Sequence, residues 1–526
     1  MQQRITINLN IDSKTTDKTT ILEYCRSHGI AGIETPCAGK GTCGKCKVTV
    51  TKPYYKDVLA CRTRVCDGME IIVGRKESTG TKEDSMVVLT NGENVSEKFN
   101  EHVNRNVEDT LAACDIGTTT VVCYLIDKET GQIISTRSGA NPQRSFGADV
   151  LSRIDAAARA DDNDKANGGL QMMQTQIVSL LNGWISEMLT ECGRTKVSRF
   201  SVAGNTVMCH LLMGISPEKM GKAPFLPDEY FGREFNPLDI GIENCQTMII
   251  FPAVSGFVGG DITAGMMETV NCNELTLYLD IGTNGEMALG KGDRYVCCAT
   301  AAGPAFEGAQ IELGMPASKG AVDKVWLEGR RIKYSVIGND RPVGLCGSGL
   351  IDALALLLKA GIIDENGTIL SGQELPILFR SYVFEVEAED AAQSTETSLA
   401  VHIAPGVYIT QEDIRKLQLA KGAIAAGIEV LFKEYGCMPC NIDVLTFAGG
   451  FGNYIDKASA AAIGLFPQEL LDKAKEVGNA AGNGAVSAAL SQDAWERALE
   501  ISGNMRYIEL ASYPHFDEMY VEHMNF

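Results

Sequence analysis

Long apolar runs are missing from this chain of 526 residues. No stretch of 18 apolar residues occurs, and the first segment, MQQRITINLN, has no basic stretch followed by an apolar one. A helix that crosses a bilayer needs about 20 apolar residues, and a secretory signal needs that basic and apolar order. The sequence therefore predicts neither a membrane span nor secretion, and it indicates a cytoplasmic location.

Positive charge is also scarce. Lysine and arginine total 47 against 67 aspartates and glutamates, which gives a formal net charge of −20 without a local basic patch. An acidic surface repels a phosphate backbone, so no nucleic acid partner is expected. The six histidines form no His-Glu-x-x-His motif and no close pair, and they are interpreted as structural or surface groups.

Cysteine is more abundant, but 17 residues are too few for a disulfide scaffold of this length, and the number is odd. Reduced thiols are expected in a cytoplasmic protein, with some of them holding metal. Four cysteines within TPCAGKGTCGKC and LACRT form a C-x5-C-x2-C-x14-C pattern: Cys37, Cys43, Cys46 and Cys61.

This cysteine pattern is typical of a [2Fe–2S] centre. Such a cluster needs four thiolates, three of them from a tight loop whose glycines let the backbone wrap around it. Gly39, Gly41 and Gly44 supply that loop, which ordinary buried thiols would not require. Zinc is the weaker alternative, because its sites usually contain two C-x2-C pairs. Cys66 competes as fourth ligand, but Cys61 is favoured because LACR resembles the fourth-ligand segment of ferredoxin-like domains.

The other motifs that contain cysteine give weaker evidence of a functional site. GKGTCGKC fits a nucleotide P-loop except at its last position, where Cys46 replaces the required Ser or Thr. Cys437 and Cys440 form a single CxxC without a basic neighbour and are interpreted as incidental rather than redox-active. Five cysteines in apolar runs are predicted core residues: Cys114, Cys123, Cys209, Cys297 and Cys298.

The chain divides into three parts. Residues 1–75 predict a compact α+β unit, and the polar, charged residues 76–110 predict a flexible linker. Residues 111–526 alternate strands and helices, with glycine concentrated in the short loops between them, as in α/β proteins that bind ligands at turns. Within this part we predict helices at 170–189, 350–360 and 412–435. We also predict an exposed acidic loop at 385–398.

A repeat divides the large part into two lobes. LAACDIGTTTVV and TLYLDIGTNGEMA share Asp-Ile-Gly-Thr between two strand-like runs, which favours a duplicated subdomain with lobe one at 111–275 and lobe two at 276–526. A hairpin tip of this composition can bind phosphate through backbone amides and hydroxyls, and its aspartate can bind Mg²⁺ through water. The predicted residues of the first loop are Asp115, Gly117, Thr118 and Thr119.

The second copy would close on the other side of the same phosphates, through Asp280, Gly282, Thr283 and Asn284. A third motif, LTFAGGFGNYID, predicts a strand running into a glycine pair that packs against adenine and ribose, with Gly449, Gly450 and Asn453 as binding residues. Asp115 and Asp280 are the predicted catalytic carboxylates. Three tight turns of a non-binding α/β fold remain the alternative to this nucleotide site.

DIGTTT, DIGTNGE and FAGGFGN resemble the phosphate 1, phosphate 2 and adenosine motifs of the actin, sugar kinase and Hsp70 ATPase superfamily. Joined to a ferredoxin-like segment, they resemble the reductive activators of corrinoid proteins, including the activating enzymes of acetogen O-demethylase and methyltransferase systems. Other segments match along nearly the whole chain: NPQRSFGADVLSRI, VSGFVGGDITAG, AAGPAFEGAQIELGM, GLCGSGLIDALA and GNAAGNGA.

The resemblance implies a fold and a reaction. The fold is an α+β ferredoxin-like (β-grasp) domain followed by an actin-like α/β ATPase domain with two duplicated RNase H-like lobes. The reaction is ATP-dependent reduction of inactive Co(II) to Co(I) in a corrinoid methyl-carrier protein of an anaerobe, with ATP, Mg²⁺ and the [2Fe–2S] cluster as cofactors. The electron comes from a low-potential donor such as reduced ferredoxin or flavodoxin, and the linker lets the iron–sulfur domain swing.

Some relatives carry a separate middle segment implicated in dimerisation. Here only the linker occupies that place, so a homodimer formed by that route is not expected, and another route stays open. Two other functions also stay open: a redox-sensing or electron-transfer module that binds nucleotide without hydrolysis, and a small-molecule kinase with a regulatory ferredoxin domain. Glu286 and Glu307 stand in glycine-rich motifs and could orient water, but ordinary loop carboxylates are the simpler interpretation.

Overall fold

A computed structural model describes most of the chain, in these ranges: 3–9, 19–28, 30, 33, 46–53, 55–75, 110–158, 168–308, 310–387, 397–449 and 455–526. Several predictions fall outside the described residues: Cys37, Cys43, Gly450, Asn453 and the swinging linker, of which only Thr110 is included. The chain forms two compact units, one holding the described residues up to 259 and the other those from 260 onward. Each unit is treated by itself.

The first domain is a four-stranded antiparallel sheet with one helix. Helix α1 spans Ile21–Ser27, and the sheet has the order β1-β4-β2-β3. The helix begins at a capping box, in which Thr20 Oγ1 accepts from the Glu23 amide at 3.2 Å and Glu23 Oε2 accepts from the Thr20 amide at 2.7 Å. The strands are β1 (Gln3–Leu9), β2 (Lys47–Lys52), β3 (Lys56–Leu59) and β4 (Met69–Arg75). The predicted α+β fold is confirmed.

Lobe one is a six-stranded sheet with helices against it. Its order is β7-β6-β5-β8-β10-β9: the first three strands form an antiparallel meander, β8 runs parallel to β5, and β10 runs parallel to β8. The strands are β5 (Thr110–Ile116), β6 (Thr120–Asp127), β7 (Ile133–Ala140), β8 (Val197–Gly204), β9 (Arg233–Phe235) and β10 (Cys245–Ile250). The helices are α2 (Val150–Ala158), α3 (Gly169–Glu191) and α4 (Thr206–Met213).

The second unit repeats this sheet. Its order is β21-β20-β11-β12-β13-β22, again an antiparallel meander whose first strand pairs in parallel with a later strand. The strands are β11 (Thr276–Ile281), β12 (Gly285–Lys291), β13 (Arg294–Thr300), β20 (Val444–Ala448), β21 (Ala474–Glu476) and β22 (Met505–Tyr507). Five strands have the same order in both lobes, β7-β6-β5-β8-β10 and β13-β12-β11-β20-β21, and the sheets differ in the edge strands β9 and β22. This shared order confirms the duplication that the shared Asp-Ile-Gly-Thr predicts.

Helices and two small sheets complete the second unit. The helices are α5 (Gly260–Thr269), α6 (Gly347–Lys359), α7 (Gln411–Tyr435), α8 (Lys457–Ala462), α9 (Ala480–Leu490), α10 (Gln492–Gly503) and α11 (Phe516–Glu522). The small sheets contain β14 (Ala321–Glu328), β15 (Arg331–Val336) and β16 (Gly344–Leu345), and β17 (Val383–Glu387), β18 (Thr397–Ala404) and β19 (Val407–Thr410). No helix among the described residues is both long and apolar enough to cross a bilayer.

The predicted helices α3, α6 and α7 agree with the structure to within a few residues. The acidic loop predicted at 385–398 is wrong at both ends, because β17 and β18 pair as a hairpin in which Glu387 lies opposite Thr397. Phe384 stacks on His402 across this hairpin, with ring centroids 3.9 Å apart, so an aromatic contact between distant residues outweighs the local acidic composition.

Candidate functional site

The first phosphate loop is the tight tip between β5 and β6. The Gly117 amide donates to the Thr120 carbonyl at 2.9 Å, and a Cβ on Gly117 would lie 2.8 Å from that oxygen, so only glycine fits there. Asp115, half-buried, lies two residues before the tip, opposite Val122. The sequence therefore places the aspartate and the threonines on one short turn, as predicted.

Residues 141–153, which we call the connector, wrap around this loop. Asn141 Nδ2 donates to the Gly117 carbonyl at 2.8 Å, and the Asn141 amide donates to the Thr119 carbonyl at 2.9 Å. Arg153, which is fully buried, donates to the carbonyl of Thr118 between them. The connector thus binds three consecutive carbonyl oxygens of the loop.

This arrangement orients the amides of the loop. In a trans peptide unit the carbonyl and the following N–H point in opposite directions. With the carbonyls of Gly117 and Thr118 turned toward the connector, the amides of Thr118 and Thr119 face away from it. Two adjacent donors held in this way suit an anion, and the buried guanidinium of Arg153 adds positive charge on the carbonyl side of the loop. Neither Asn141 nor Arg153 is predicted as a site residue from the sequence, although both lie in the segment NPQRSFGADVLSRI that resembles the family.

The second phosphate loop joins β11 and β12 and is one residue shorter than the first, because Ile281 pairs with Gly285 whereas Ile116 pairs with Val121. The Gly282 amide donates to the Asn284 carbonyl at 2.9 Å. Thr283 Oγ1 donates to Glu307 Oε1 at 2.9 Å, so Glu307 is brought to this loop from a segment 24 residues away. Its carboxylate orients the threonine hydroxyl, a contact that the sequence does not predict.

Two carboxylates share one face at the base of this loop. Asp280 lies opposite Glu286 in the antiparallel pair of β11 and β12, and Glu286 is buried. Directly opposed side chains have Cβ atoms about 5 Å apart, and like charges at that distance repel unless a cation lies near them. This pair of oxygen donors therefore fits a hydrated Mg²⁺.

Gly449 of the third motif also reaches this carboxylate pair. Strand β20 runs parallel to β11, with Ala448 opposite Asp280. A Cβ on Gly449, whose φ is +83°, would lie 2.3 Å from Asp280 Oδ1. Glycine is therefore required for both its backbone angle and this close approach, and the structure brings the second and third motifs together.

Asp261, at the first turn of α5, is a further carboxylate and is not among the residues predicted from the sequence. Burial raises its pKa to about 6. A Cβ on Gly265, one turn further along α5, would lie 2.0 Å from Tyr278 Oη, which shows that α5 packs on β11. Because a helix and the strand that follows it run in opposite directions when they pack, Asp261 lies toward the end of β11 that carries Asp280.

The cysteines of the first domain converge from two segments. Cys46 Sγ and Cys61 Sγ are 3.2 Å apart without a disulfide, close enough for two ligands of one iron. The Ala60 amide donates to the Cys46 carbonyl at 2.8 Å and holds the two segments together. Cys25 lies in the same core, but burial raises the pKa of its thiol to about 12, which keeps it protonated. The pair of thiols fits a [2Fe–2S] centre.

The remaining cysteines behave as small core or surface residues. The five predicted core cysteines are each 1% exposed or less. Cys437 is half-buried, and desolvation raises the pKa of its thiol, whereas Cys440 is exposed. A raised pKa disfavours the reactive thiolate, which agrees with an incidental CxxC.

An iron–sulfur domain followed by a duplicated two-lobed fold with paired phosphate loops defines a class: ATPases fused to a ferredoxin-like electron carrier. Family models match along the chain: the 2Fe-2S iron-sulfur cluster binding domain at 8–66, the RACo middle region at 111–271, and the C-terminal ASKHA domain of RACo at 274–526. The middle region thus has its counterpart within the residues assigned to lobe one.

Similar proteins agree with this class. The corrinoid activation enzyme RamQ of Eubacterium limosum is 32% identical, over 96% of this chain and 95% of that protein. The [Co(II) methylated amine-specific corrinoid protein] reductase of Methanosarcina barkeri is 26% identical over 68% of this chain and 65% of that protein. A solved reductive activator for a corrinoid, iron-sulfur protein superposes with a TM-score of 0.68 at 29% identity, covering 97% of this chain and 96% of that one. The chain belongs to the family of reductive activators of corrinoid proteins.

Proposed function

We propose that this protein uses ATP to reduce inactive Co(II) to Co(I) in a corrinoid methyl-carrier protein. The observation that carries the proposal is the combination in one chain of converging cluster cysteines, Cys46 and Cys61, with two Asp-Ile-Gly-Thr loops, each at the tip of an antiparallel strand pair. Similarity to corrinoid activators along nearly the full length supplies the substrate class.

The free-energy cost of the electron transfer explains why the electron carrier is joined to an ATPase. Each 59 mV of uphill one-electron transfer costs about 1.4 kcal/mol, so a gap of roughly 200 mV costs on the order of 5 kcal/mol. Coupling between binding sites typically supplies only about 1–3 kcal/mol. Preferential binding of the partner would leave much of that gap, and a step driven by ATP provides the rest.

In the proposed site, the amides and hydroxyls of Thr118 and Thr119 bind phosphate oxygens in lobe one. Gly282, Thr283 and Asn284 form the corresponding loop of lobe two, where backbone amides are the proposed donors because the Thr283 hydroxyl donates to Glu307. Asp280, with Glu286, would hold Mg²⁺ through its water ligands, and Asp115 is the proposed carboxylate at the equivalent place in the first loop. Gly449 begins the adenosine site, to which we also assign Gly450 and Asn453.

Asp261 is proposed to accept the proton of the attacking water. Its pKa of about 6 leaves it ionised at neutral pH while still basic enough to take a proton. Asp261→Asn should therefore keep nucleotide binding and lose hydrolysis, and hydrolysis by the wild type should rise with pH through about 6. An Asp261→Asn variant that hydrolyses ATP at the normal rate would remove Asp261 from this role.

For the cluster we propose Cys37, Cys43, Cys46 and Cys61 as ligands, with Cys61 rather than Cys66 as the fourth. The cluster supplies one low-potential electron at a time, received from a donor such as reduced ferredoxin or flavodoxin.

The deciding experiment mixes the reduced protein with a Co(II) corrinoid protein and follows the visible spectrum. The Co(I) band should appear with ATP and not without it, and Asp115→Asn or Asp280→Asn should abolish that ATP dependence. Equal Co(I) formation with and without ATP would instead identify a passive electron-transfer module. Stoichiometric phosphorylation of a metabolite would identify a kinase.

A further inference from the structure

Arg26, in helix α1 of the ferredoxin-like domain, contacts the connector of lobe one. Its Nε donates to the Ser145 carbonyl at 3.1 Å, and a second guanidinium N–H donates to the same oxygen. The guanidinium lies over the Phe146 ring, 5.0 Å from the centroid. Phe146 is itself buried in the core of lobe one. The Ser145 carbonyl and the Phe146 ring together form a specific binding site for the forked guanidinium of an arginine, which we call the seat.

The seat is connected to the first phosphate loop by a chain of hydrogen bonds. Ser145 Oγ donates to the Pro142 carbonyl at 3.0 Å, and the Phe146 amide donates to the Gln143 carbonyl at 2.9 Å. The Gln143 amide donates to Asn141 Oδ1 at 2.9 Å, and Asn141 in turn binds the loop. The single turn from Pro142 to Ser145 is therefore bonded to Arg26 at one end and to the loop at the other.

Helix α1 connects the same contact to the cluster side of its domain. Cys25, next to Arg26, is buried in the core that contains Cys46, and Cys61 packs against that core. The helix spans 7 residues and contains both Cys25 and Arg26, so one element joins the cysteine-containing core to the connector. An arginine seated on the connector therefore sets where the cluster cysteines lie relative to lobe one.

We propose that this seat couples docking of the ferredoxin-like domain to nucleotide binding at the first loop. Docking orders the connector, and an ordered connector holds the loop amides toward the phosphates before nucleotide arrives, so less ordering remains to be done on binding. Coupling of this kind is reciprocal, and bound nucleotide strengthens docking by the same factor. The inference rests on the proposed nucleotide site and adds an intramolecular partner to it.

The test uses the full-length protein with Arg26→Gln and, as a matched control, Arg64→Gln. Both changes remove one positive charge from the same domain, and the Arg64 side chain is exposed. Binding of a non-hydrolysable ATP analogue is measured by calorimetry, and exchange of backbone amides in residues 141–153 and in α1 by mass spectrometry. Phe146→Leu removes the aromatic partner of Arg26 and should have the same effect. The visible spectrum of the cluster checks that the ferredoxin-like domain of each variant is folded.

We expect Arg26→Gln to weaken analogue binding by roughly fivefold or more and to speed exchange in the connector, whereas Arg64→Gln changes neither. In the wild type the analogue should slow exchange in α1, and in Arg26→Gln it should not. Unchanged affinity in Arg26→Gln overturns the proposal, and so does weaker binding without faster exchange in the connector. A wild type that binds no analogue would overturn the proposed function as well, whereas equal binding by wild type and variants overturns only the coupling.

Discussion

Asn141→Ser tests whether the connector prepares the first phosphate loop. Asn141 is 1% exposed, and its Nδ2 donates to the Gly117 carbonyl, while its Oδ1 caps the following turn by accepting from the Gln143 amide. Serine can still cap that turn, but it has no donor that reaches the loop. The change therefore removes the loop contact and keeps the local structure.

The expected effect follows from the buried carbonyl that is left behind. Removing one partner of a buried hydrogen bond costs about 1–3 kcal/mol, and 1.4 kcal/mol corresponds to about tenfold in an equilibrium constant. Because the Gly117 carbonyl can turn away only by turning the Thr118 amide out of its phosphate-facing direction, most of that cost should appear in nucleotide affinity. We expect ATP to bind roughly tenfold more weakly.

The chain contains a matched control. Asn236 also precedes a proline and caps a short turn, accepting from the Leu238 amide at 3.3 Å, but its Nδ2 donates to Asp239 at 2.8 Å. Asn236→Ser thus repeats the same local change without touching the loop. Calorimetric titration with ATP should separate the two variants. Equal affinities for ATP in Asn141→Ser and Asn236→Ser would refute the reasoning, since both would then act only through capping.

Further predictions concern the cluster, pH and the chain end. Cys61→Ser should lose the [2Fe–2S] absorption while Cys66→Ser keeps it, and the reverse result would assign the fourth ligand to Cys66. His210 donates from Nδ1 to a carbonyl and accepts at Nε2 from an amide, and desolvation lowers its pKa, so it is neutral when folded. The contribution of His210 to the free energy of unfolding should therefore be fully present above pH 6.5 and be lost as the pH falls through the lower folded pKa, by at most about 1.4 kcal/mol per pH unit. Thermal unfolding at pH 7.5 and 5.5 should show a smaller loss of stability in His210→Gln than in the wild type. The buried amine of Lys421 binds the carbonyls of His523 and Asn525, so Lys421→Met should speed proteolysis of the last residues, and an unchanged cleavage rate would contradict that role.

The sequence alone was sufficient for features carried by neighbouring residues. The Asp-Ile-Gly-Thr repeat predicted two hairpin tips, because a tight turn depends on the few residues within it and Gly117 is the residue that fits. Helix α7 was predicted to within one residue at its start, since Thr410 caps it and an apolar stripe follows. The ferredoxin-like fold and the two duplicated lobes followed from the same local patterns joined to family motifs.

Tertiary structure decided which distant residues support those turns. Nothing in the local pattern indicates that Asn141 and Arg153 bind the carbonyls of the first loop, or that Glu307 binds Thr283, because these contacts join segments 24 or more residues apart. The approach of Cys61 to Cys46 and the seat of Arg26 depend likewise on how separate elements pack. Local propensity specifies the shape of a turn, whereas the orientation of its amides and carboxylates is set by partners that only the folded chain brings near.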